Sequence, residues 1–589
     1  MPRMNALAKL ATLAAISGRI WRLTTPYFRS EEKWKARGLF VGIVVLNLAA
    51  VYLLVQINEW NRVFYDALDK RDQPVFWSQL LRFTYLAFAY IVVAVYRFYL
   101  TQLLDMRWRT WLTAHYLQRW LGHQAFYRIE LARFSREGAP PDNPDQRIQE
   151  DLKMFTSYSI SLSMGLLNAV VTLASFVGIL WGLSGGFGFN FGGAHYEVPG
   201  FMVWAAIAYC LAGSVITHYI GRIQIPLNFE QQRLEANFRH HMVRVREYSE
   251  AIALDKGEPV ERRQLDLRFS QVLANYLALI RAQKNLAWFN NFFGQAAVVF
   301  PYVVAAPRFF AGAIQLGELM QISSAFNRVQ ESLSWFLDNY SDFATWRATA
   351  DRLTSFEETL ARESERDLMD VQAGGEQLVA EDVAVALPTG APLLEHVSLR
   401  AAPGDAVLLQ GPSGSGKSTL LRTLSGIWPY ARGRVQLPAD TMCIPQNPYF
   451  PEGSLRAALA YPEPAERYDD AQLTQALHDA LLPQLASRLD EHNAWSLKLS
   501  GGERQRLAIA RVLLKRPRWV LADEATSALD PQTGEGVYEA LLASVHRAGG
   551  AIVSIAHGDA LEHFHNRRWR LEKREGGAPY QVVESAPAR

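Results

Sequence analysis

Long apolar stretches in the first 340 residues constrain the fold of this chain more than any other feature of its sequence. An apolar run of roughly 18 residues is long enough to cross the hydrocarbon core of a bilayer as a helix. Because that core offers the backbone no hydrogen-bond partners, the expected fold of this part is a bundle of membrane-spanning helices. Five runs meet the criterion: Gly38–Val55, Phe83–Leu104, Ile160–Leu183, Phe201–Ile220 and Ala287–Ala306.

A sixth span, Leu319–Leu337, is predicted although it contains Asn327, Arg328, Gln330 and Glu331. Arg328 and Glu331 are three positions apart and would share one face of the helix. Ionisable residues inside a membrane usually face a bundle interior or a water-filled path. Two interpretations of the pair remain open: it lines a cavity for polar cargo, or it is a simple ion pair within the helix.

The distribution of Lys and Arg sets the predicted orientation of the bundle. Eight such residues precede the first span, whereas the connection 184–200 has none. The connections 107–153 and 222–284 are long and rich in Arg. The N-terminus, these two connections and the C-terminal half are therefore expected on the cytoplasmic side.

The composition changes near Thr354, after which the chain is acidic and polar as far as Glu376 and then rich in strand-like runs. Near the N-terminus, Arg19 and Arg22 stand where a signal peptide would have small residues, so an amphipathic helix on the inner membrane surface is expected instead. The predicted domains are an elbow segment 1–32, a transmembrane domain 33–354, a linker 355–376 and an α/β domain 377–589.

Charge and cysteine content exclude several classes of protein. The net charge of +2 gives no overall field that would attract nucleic acid, so none is expected as a partner. Cys210 and Cys443 lie far apart and have no metal-ligand spacing. Neither a disulfide framework nor a cysteine metal site is therefore expected.

A glycine-rich loop, Gly411–Ser418, follows the strand-like run Ala406–Gln410 and precedes a helical run. It matches the pattern G-x-x-x-x-G-K-S in the strand–loop–helix context that this pattern requires. Backbone N–H groups of such a loop wrap phosphates, and the helix N-terminus adds a positive dipole end. The residues expected to bind ATP here are Gly411, Ser413, Gly414, Gly416, Lys417, Ser418 and Thr419, with Ser418 also a ligand of Mg²⁺.

Two carboxylates, Asp523 and Glu524, stand at the end of the buried-strand run Trp519–Ala522. Asp523 is expected to help bind Mg²⁺, and Glu524 to polarise the attacking water as general base. The alternative is a solvated pair of carboxylates with no chemical role. The glycine-rich loop in the same chain makes that alternative the weaker one.

The segment Leu499–Gln505, which reads LSGGERQ, resembles the signature of ABC transporters. In that family the signature completes the nucleotide site of the opposite subunit. A serine and two glycines at a helix N-terminus suit this role, since they form an anion cradle for a γ-phosphate. The resemblance implies that Ser500, Gly501 and Gly502 bind the ATP of a second copy, so that a homodimer is expected.

Three further elements of the ABC family stand in the family's order. Gln446, in Ile-Pro-Gln-Asn-Pro, is similar to the glutamine that senses the γ-phosphate and Mg²⁺ and contacts the membrane domain. Asp530 ends a Ser-Ala-Leu-Asp segment that resembles the dimer-contacting D-loop, which adds it to the nucleotide-binding residues. His557, in Ser-Ile-Ala-His, is similar to the switch histidine and is expected to be catalytic with Glu524.

One position departs from the family pattern. ABC ATPases often stack adenine on an aromatic residue in a strand before the glycine-rich loop. The corresponding strand here, Val383–Pro388, contains no aromatic residue. Adenine is therefore expected to be held by apolar contact or by residues from elsewhere, whereas the phosphate chemistry is unaffected.

The membrane half carries narrower resemblances in three segments, Trp60–Leu68, Asn143–Asp151 and Glu250–Glu258. Together they resemble the group that contains BacA/SbmA-related bacterial uptake transporters and the peroxisomal fatty-acyl transporters of ABC subfamily D. For each segment alone, a surface helix or a turn is the alternative, and Asn143 suits a helix cap. The resemblance implies an exporter-type fold, in which a six-span helical bundle is fused to a P-loop α/β ATPase domain.

The function implied is ATP-driven uptake of hydrophilic cargo, such as peptides or cobalamin, by a homodimer in the lipid of a bacterial inner membrane. One alternative is a fatty-acyl or lipid transporter, for which a span with Arg328 and Glu331 is unfavourable. A second is an ATP-gated regulator that moves no cargo, although Glu524 and His557 favour turnover. A soluble ATPase acting on DNA is excluded by the membrane spans.

Overall fold

The computed structural model describes residues 6–134, 143–184, 188–191, 194–365, 369–556 and 561–585. The chain divides into two compact units. The first is formed by the chain up to residue 116 with 145–355, and the second by 117–144 with 356–589. The domain boundaries predicted after residues 32, 354 and 376 stay predictions.

Helices dominate the N-terminal part of the chain. They are α1 Ala6–Arg29, α2 Lys33–Asp69, α3 Gln73–Leu121, α4 Ala125–Ala132, α5 Pro144–Gln146, α6 Leu152–Leu183, α7 Phe201–Gly221, α8 Gln224–Glu247, α9 Ser249–Leu254, α10 Glu258–Phe310, α11 Leu316–Asp338 and α12 Tyr340–Glu365. Between α6 and α7, the strands β1 Gly188–Phe191 and β2 Ala194–Glu197 form an antiparallel hairpin. One π-helical turn, Arg147–Asp151, joins α5 to α6.

Five helical stretches in the described part of the chain are long and apolar enough to cross a membrane, as predicted. They are Lys33–Asp69, Gln73–Ala132, Pro144–Leu183, Phe201–Glu247 and Glu258–Phe310. The predicted sixth span lies on α11, which is not among these five stretches. This helix packs against α2, α6, α7 and α10, and Ile322, Ala325, Phe326 and Val329 are buried on it, so α11 belongs to the core of the first unit.

The segment Trp60–Leu68 fixes the start of α11. The backbone N–H of Gly317 donates to the Asp66 carboxylate across a distance of 2.8 Å. A Cβ at position 317 would collide with the carbonyl oxygen of Arg62, so only glycine permits this approach. The helix N-terminus and the carboxylate attract each other, which makes Asp66 a cap supplied by another helix.

The segment Asn143–Asp151 also has a structural role. Asp151 is 2% exposed, and the guanidinium of Arg352 on α12 donates to its two oxygens at 2.6 and 3.0 Å. Arg147, in the same π-helical turn, pairs with Asp151 as well. Such turns inside α-helices are frequent at functional sites. The buried carboxylate joins α6 to α12, the helix that leads out of the first unit.

The second unit contains a large sheet and its flanking helices. Its strands are β3 Asp370–Ala373, β4 Leu378–Ala386, β5 Pro392–Ala401, β6 Ala406–Gln410, β7 Ala431–Leu437, β8 Thr441–Ile444, β9 Gly453–Ser454, β10 His492–Asn493, β11 Trp519–Asp523, β12 Ala551–Ile555, β13 Arg567–Lys573 and β14 Tyr580–Ser585. Its helices are α13 Lys417–Leu424, α14 Leu455–Ala460, α15 Asp470–Asp479, α16 Trp495–Lys498, α17 Gly501–Lys515 and α18 Pro531–Arg547.

Ten strands form one sheet in the order β3-β7-β4-β5-β14-β13-β6-β12-β11-β8. From β13 to β8 the neighbouring strands are parallel. All residues of β11 and β12 are buried, because a parallel sheet is covered on both faces. The carboxyl ends of β6, β12 and β11 lie at one edge, where open α/β sheets bind their ligands.

Residues 117–144 cluster with the sheet although they precede it by more than 200 positions. Leu131 on α4 packs against the buried residues of the sheet. The Arg128 guanidinium donates to the carbonyl oxygen of Glu363 at 2.9 Å, and Arg119 pairs with Glu357 at 3.1 Å. The second connection thus contributes a helix to the second unit.

Candidate nucleotide site

The glycine-rich loop joins β6 to α13, as predicted. Gly416, the last residue before the helix, has φ of 93°, a conformation that strains any residue with a Cβ. A Cβ at this position would also collide with the Leu393 side chain. The loop therefore depends on glycine here, and α13 begins directly with Lys417.

Lys417 is 7% exposed, and its ammonium donates to the carbonyl oxygens of Gly411 and Pro412 at 2.9 and 3.0 Å. Burial lowers the pKa of Lys417, while the nearby carboxylates of Glu524 and Asp523 oppose this effect. The loop thus holds one positive charge close to two negative ones. A triphosphate entering the loop would find this cation already positioned.

Ser418 and Asp523 lie 105 positions apart in the sequence and meet at this edge of the sheet. The Ser418 hydroxyl donates to Oδ1 of Asp523 at 3.0 Å. Burial raises the pKa of Asp523, and the hydrogen bond from Ser418 acts in the opposite direction. A hydroxyl and a carboxylate in contact are a fitting pair for Mg²⁺, which prefers oxygen ligands and takes the rest from phosphates and water.

Glu524 occupies a strained position directly after β11. Its φ is 50°, which is uncommon for a residue other than glycine. Its N–H donates to the carbonyl oxygen of Ile555 at 3.0 Å, and the Gln446 amide donates to its carboxylate at 2.9 Å. Such strain persists where the surrounding contacts determine the conformation, as they do at functional sites. Gln446, predicted to bind nucleotide and Mg²⁺, is thus brought together with Glu524, the predicted general base.

The signature segment forms the start of α17. The Ser500 hydroxyl oxygen accepts the N–H of Glu503 at 3.3 Å, and the Glu503 carboxylate accepts the N–H of Ser500 at 3.0 Å. This reciprocal pair is a capping box. The backbone N–H and the hydroxyl of Ser500 both donate to the Glu503 carboxylate, and these two bonds, the backbone one first, lower the pKa of Glu503. Gly501 and Gly502 follow in the first turn and pack against Ala528 and its carbonyl.

Gln505, one turn further along α17, was not identified from the sequence. Its amide nitrogen donates to the carbonyl oxygen of Glu524 at 3.1 Å and to the Ser527 hydroxyl at 3.0 Å. Its amide oxygen accepts the N–H of Ala528 at 2.8 Å. A single side chain thus joins the signature helix to the backbone of Glu524. The sequence feature that points to Gln505 is its position at the end of the signature segment Leu499–Gln505.

Asp530 caps α18 and faces the same cavity as Glu524. Its carboxylate accepts the N–H of Thr533 at 3.0 Å, a bond that lowers the pKa of Asp530. The cavity has a volume of about 230 Å³ and is lined also by Ser527 and Ala556. His557 follows Ala556 in the chain but lies outside the described residues.

A buried chain of hydrogen bonds fixes the region after β12. The Nδ1 of His565 lies 2.7 Å from the carbonyl oxygen of Leu561, so this nitrogen carries the proton. The other ring nitrogen then accepts from the Tyr538 hydroxyl at 2.7 Å, and the Ser554 hydroxyl lies 2.6 Å from the Tyr538 oxygen. Burial lowers the pKa of His565, so the neutral ring is the stable form.

We expect this network to make the second unit sensitive to acid. Because the pKa of folded His565 lies below its ordinary value of 6.5, the unfolded chain binds a proton that the folded chain excludes. Stability is then full above pH 6.5 and falls as the pH drops below it. Thermal unfolding midpoints between pH 5.5 and pH 7.5 measure this effect, which His565→Gln should flatten. The control is His546→Gln, which makes the same substitution at an exposed histidine of the same unit.

Comparison with known proteins places this site in a family. Residues 23–310 match the model of the ABC transporter transmembrane region 2, and residues 394–527 match the ABC transporter model. The inner membrane ABC transporter ATP-binding protein YddA of Escherichia coli (strain K12) is 34% identical over 88% of this chain and 92% of its own. The lysosomal cobalamin transporter ABCD4 of Mus musculus is 24% identical over 95% of both chains.

A solved structure of a bacterial Atm1-family ABC exporter with ATP bound has a TM-score of 0.70 to this chain. The similarity covers 93% of this chain and 95% of the exporter at 19% identity, and it shows the fold. The predicted exporter-type fold is thereby confirmed. This chain belongs to the ABC transporters, as a half-transporter with one transmembrane region and one ATPase domain that couples ATP hydrolysis to transport.

Proposed function

We propose that two copies of this chain form a transporter in a bacterial inner membrane that takes up hydrophilic cargo, with peptides and cobalamin as the candidates. A half-transporter contains one membrane region and one ATPase, so a second copy is the simplest way to complete it. The inner membrane location of YddA supports the membrane assigned here, and the name of ABCD4 supports testing cobalamin.

The proposed chemistry divides between residues of the nucleotide site. Lys417 holds the β- and γ-phosphates, and Glu524 takes the proton of the attacking water while Gln446 orients its carboxylate. Ser418, Asp523 and Gln446 would hold Mg²⁺. The ion, when bound, neutralises charge on the phosphates. Ser500, Gly501 and Gly502 of one copy bind the nucleotide held by Lys417 of the other.

The proposal that the cargo is hydrophilic rests on the ion pair on α11. Arg328 and Glu331 lie 3.0 Å apart, and their side chains are 40% and 61% exposed. The buried residues of the same helix are mainly apolar, as Phe326 and Val329 are, and include the polar Gln321 and Ser323. The charged side of α11 is thus open, and a polar solute fits it better than an acyl chain does.

ATPase activity in liposomes tests the proposal. The full-length protein is reconstituted and its ATP turnover is measured with peptides, cobalamin and acyl-CoA in turn. We expect a severalfold stimulation by a peptide or by cobalamin and none by acyl-CoA. Stimulation by acyl-CoA alone would favour the fatty-acyl transporter. Stimulation without accumulation of labelled cargo would favour the ATP-gated regulator.

The ion pair gives a sharper test of the cargo path. We expect Glu331→Gln to lower cargo uptake about 10-fold, because the lining loses one charge-assisted contact. Basal ATP turnover and folding should persist, since an exposed pair contributes about 1 kcal/mol or less to stability. The matched control is Glu230→Gln on α8, which removes the acid of another i,i+3 pair, that of Glu230 with Arg233. Unchanged uptake by Glu331→Gln would leave the pair a simple intrahelical contact.

A further inference from the structure

Arg97 is the one charged residue between Phe83 and Leu104, the predicted membrane span of α3. Its guanidinium donates to the side-chain oxygen of Asn47 on α2 at 3.1 Å. Asn47 is 2% exposed, and its own amide donates to the carbonyl oxygen of Met164 on α6 at 3.0 Å. Asn47 is thus fixed by α6 and in turn fixes the position of Arg97.

A cavity of about 290 Å³ lies beside this guanidinium. Its polar lining comes from Arg97, Asn47, Thr101 and Asn168, and its apolar lining includes Ile43 and Phe98. Asn168, one turn beyond Met164 on α6, makes no side-chain hydrogen bond to any residue that the structure describes. Polar side chains from three helices therefore border one small cavity that also has an apolar wall.

The charge of Arg97 has no counterion within the described chain. None of its nitrogens lies within 4.0 Å of a carboxylate oxygen among the residues that the structure describes. Two other arginines of the same unit do have a carboxylate partner: Arg62 pairs with Glu59, and Arg328 pairs with Glu331. A cation inside a membrane is costly unless it is paired or hydrated. A neutral amide at position 97 could make the same hydrogen bond between α3 and α2. The positive charge of the guanidinium is therefore not needed for this contact.

We propose that this cavity binds the anionic oxygen group of an amphiphile, with the anion on Arg97 and Asn168 and the apolar chain along Phe98. A guanidinium pairs bidentately with a phosphate or a carboxylate, and an amide N–H adds a further donor. The anion can come from a membrane lipid headgroup or from the charged end of an acyl compound. The site depends on the membrane character of the chain and not on the hydrophilic cargo proposed above.

Native mass spectrometry of the full-length protein in nanodiscs tests the site with two probes in separate arms. Phosphatidylglycerol represents the lipid source and oleate the acyl source, each against a background of phosphatidylcholine. We expect at least one probe to be retained in preference to phosphatidylcholine. Arg97→Gln should lower this preference roughly 10- to 100-fold, the range of a hydrogen bond to a charged group. Arg97→Lys should keep most of it.

Arg82→Gln is the matched control for this loss. Arg82 lies on the same helix and likewise donates to an amide oxygen on α2, that of Gln56 at 3.3 Å. It does not line the cavity, so its replacement should leave retention unchanged. Asn168→Asp is a second variant that places a carboxylate on the cavity wall beside the cation. It should abolish retention while improving the internal pairing of Arg97, so it remains informative if Arg97→Gln folds poorly.

Each outcome decides the proposal. Retention of phosphatidylglycerol that is lost in both Arg97→Gln and Asn168→Asp supports the site with a lipid source. The same pattern with oleate alone supports it with an acyl source. Equal retention of both probes by the wild type and Asn168→Asp would overturn the proposal. So would an equal loss in Arg82→Gln, because the effect would then not be specific to the cavity.

Discussion

Glu524→Gln is expected to lower ATP hydrolysis by about 100-fold or more and to leave ATP binding near the wild-type level. A positioned general base contributes roughly 10²- to 10⁴-fold to a rate, and an amide cannot take the proton of the attacking water. The variant should preserve the local structure, because the amide oxygen can still accept the hydrogen bond that Gln446 donates at 2.9 Å. The strained backbone at φ of 50° is held by main-chain contacts that the substitution does not touch.

Single-turnover hydrolysis together with equilibrium binding of labelled ATP measures both parts of this expectation. The control is Glu535→Gln, since Glu535 lines the same cavity as Glu524 and makes no hydrogen bond to Gln446 in the structure. Its turnover should stay within a few-fold of the wild type. A near-normal rate for Glu524→Gln would refute the general-base assignment, and a loss of ATP binding would indicate a structural role instead.

The core of the nucleotide site could be predicted because local patterns determine it. Gly416 and Lys417 follow β6, and Asp523 ends β11, so both groups had to lie at the carboxyl edge of a parallel sheet. That argument brings Ser418 and Asp523 together without any knowledge of the structure, and they lie 3.0 Å apart. The roles of these residues toward ATP and Mg²⁺ stay predictions.

Contacts between distant segments could not be predicted in the same way. The backbone of Tyr430 accepts the N–H of Ala386 at 2.8 Å, which brings an aromatic ring to the end of a strand that has none of its own. Tyr430 and Leu387 line one cavity of about 440 Å³. Gln505 likewise acts on a segment about 20 positions away. No periodicity or motif spacing encodes such partners, because packing of the whole unit decides them.

The membrane part shows where hydropathy is informative and where it fails. Five helices are recognised as spans because most of their surface is apolar, whereas α11 carries the exposed pair Arg328–Glu331 and the buried polar residues Gln321 and Ser323. A helix packed among other helices can carry polar side chains that find partners there, as Gln321 does in Glu59 on α2 at 3.1 Å, and such residues lower its average hydropathy. The grouping of residues 117–144 with the second unit follows from contacts such as that of Arg128 with Glu363, which the sequence does not reveal.

Mixing two inactive variants is expected to restore ATP hydrolysis if the signature acts on the nucleotide of a second copy. Lys417→Ala removes the cation that we propose binds the phosphates, and the loss of one preorganised donor typically costs 10²- to 10³-fold. Ser500→Asp keeps a good helix cap at α17 but directs a negative charge at the γ-phosphate. Each variant alone should be nearly inactive. A mixed dimer would pair the intact Lys417 of one copy with the intact Ser500 of the other.

Co-expression of the two variants with different affinity tags isolates the mixed dimer for an ATPase assay. Random pairing makes half of all dimers mixed, each with one complete site, so the unfractionated mixture should reach roughly a quarter of wild-type turnover. Ser454→Asp makes the same change at the cap of α14, away from the signature, and should retain activity on its own. If each chain completed its own nucleotide site, the mixed dimer would contain two defective sites and stay inactive. Recovery in the mixed dimer therefore separates a nucleotide site shared between two copies from one that a single chain builds alone.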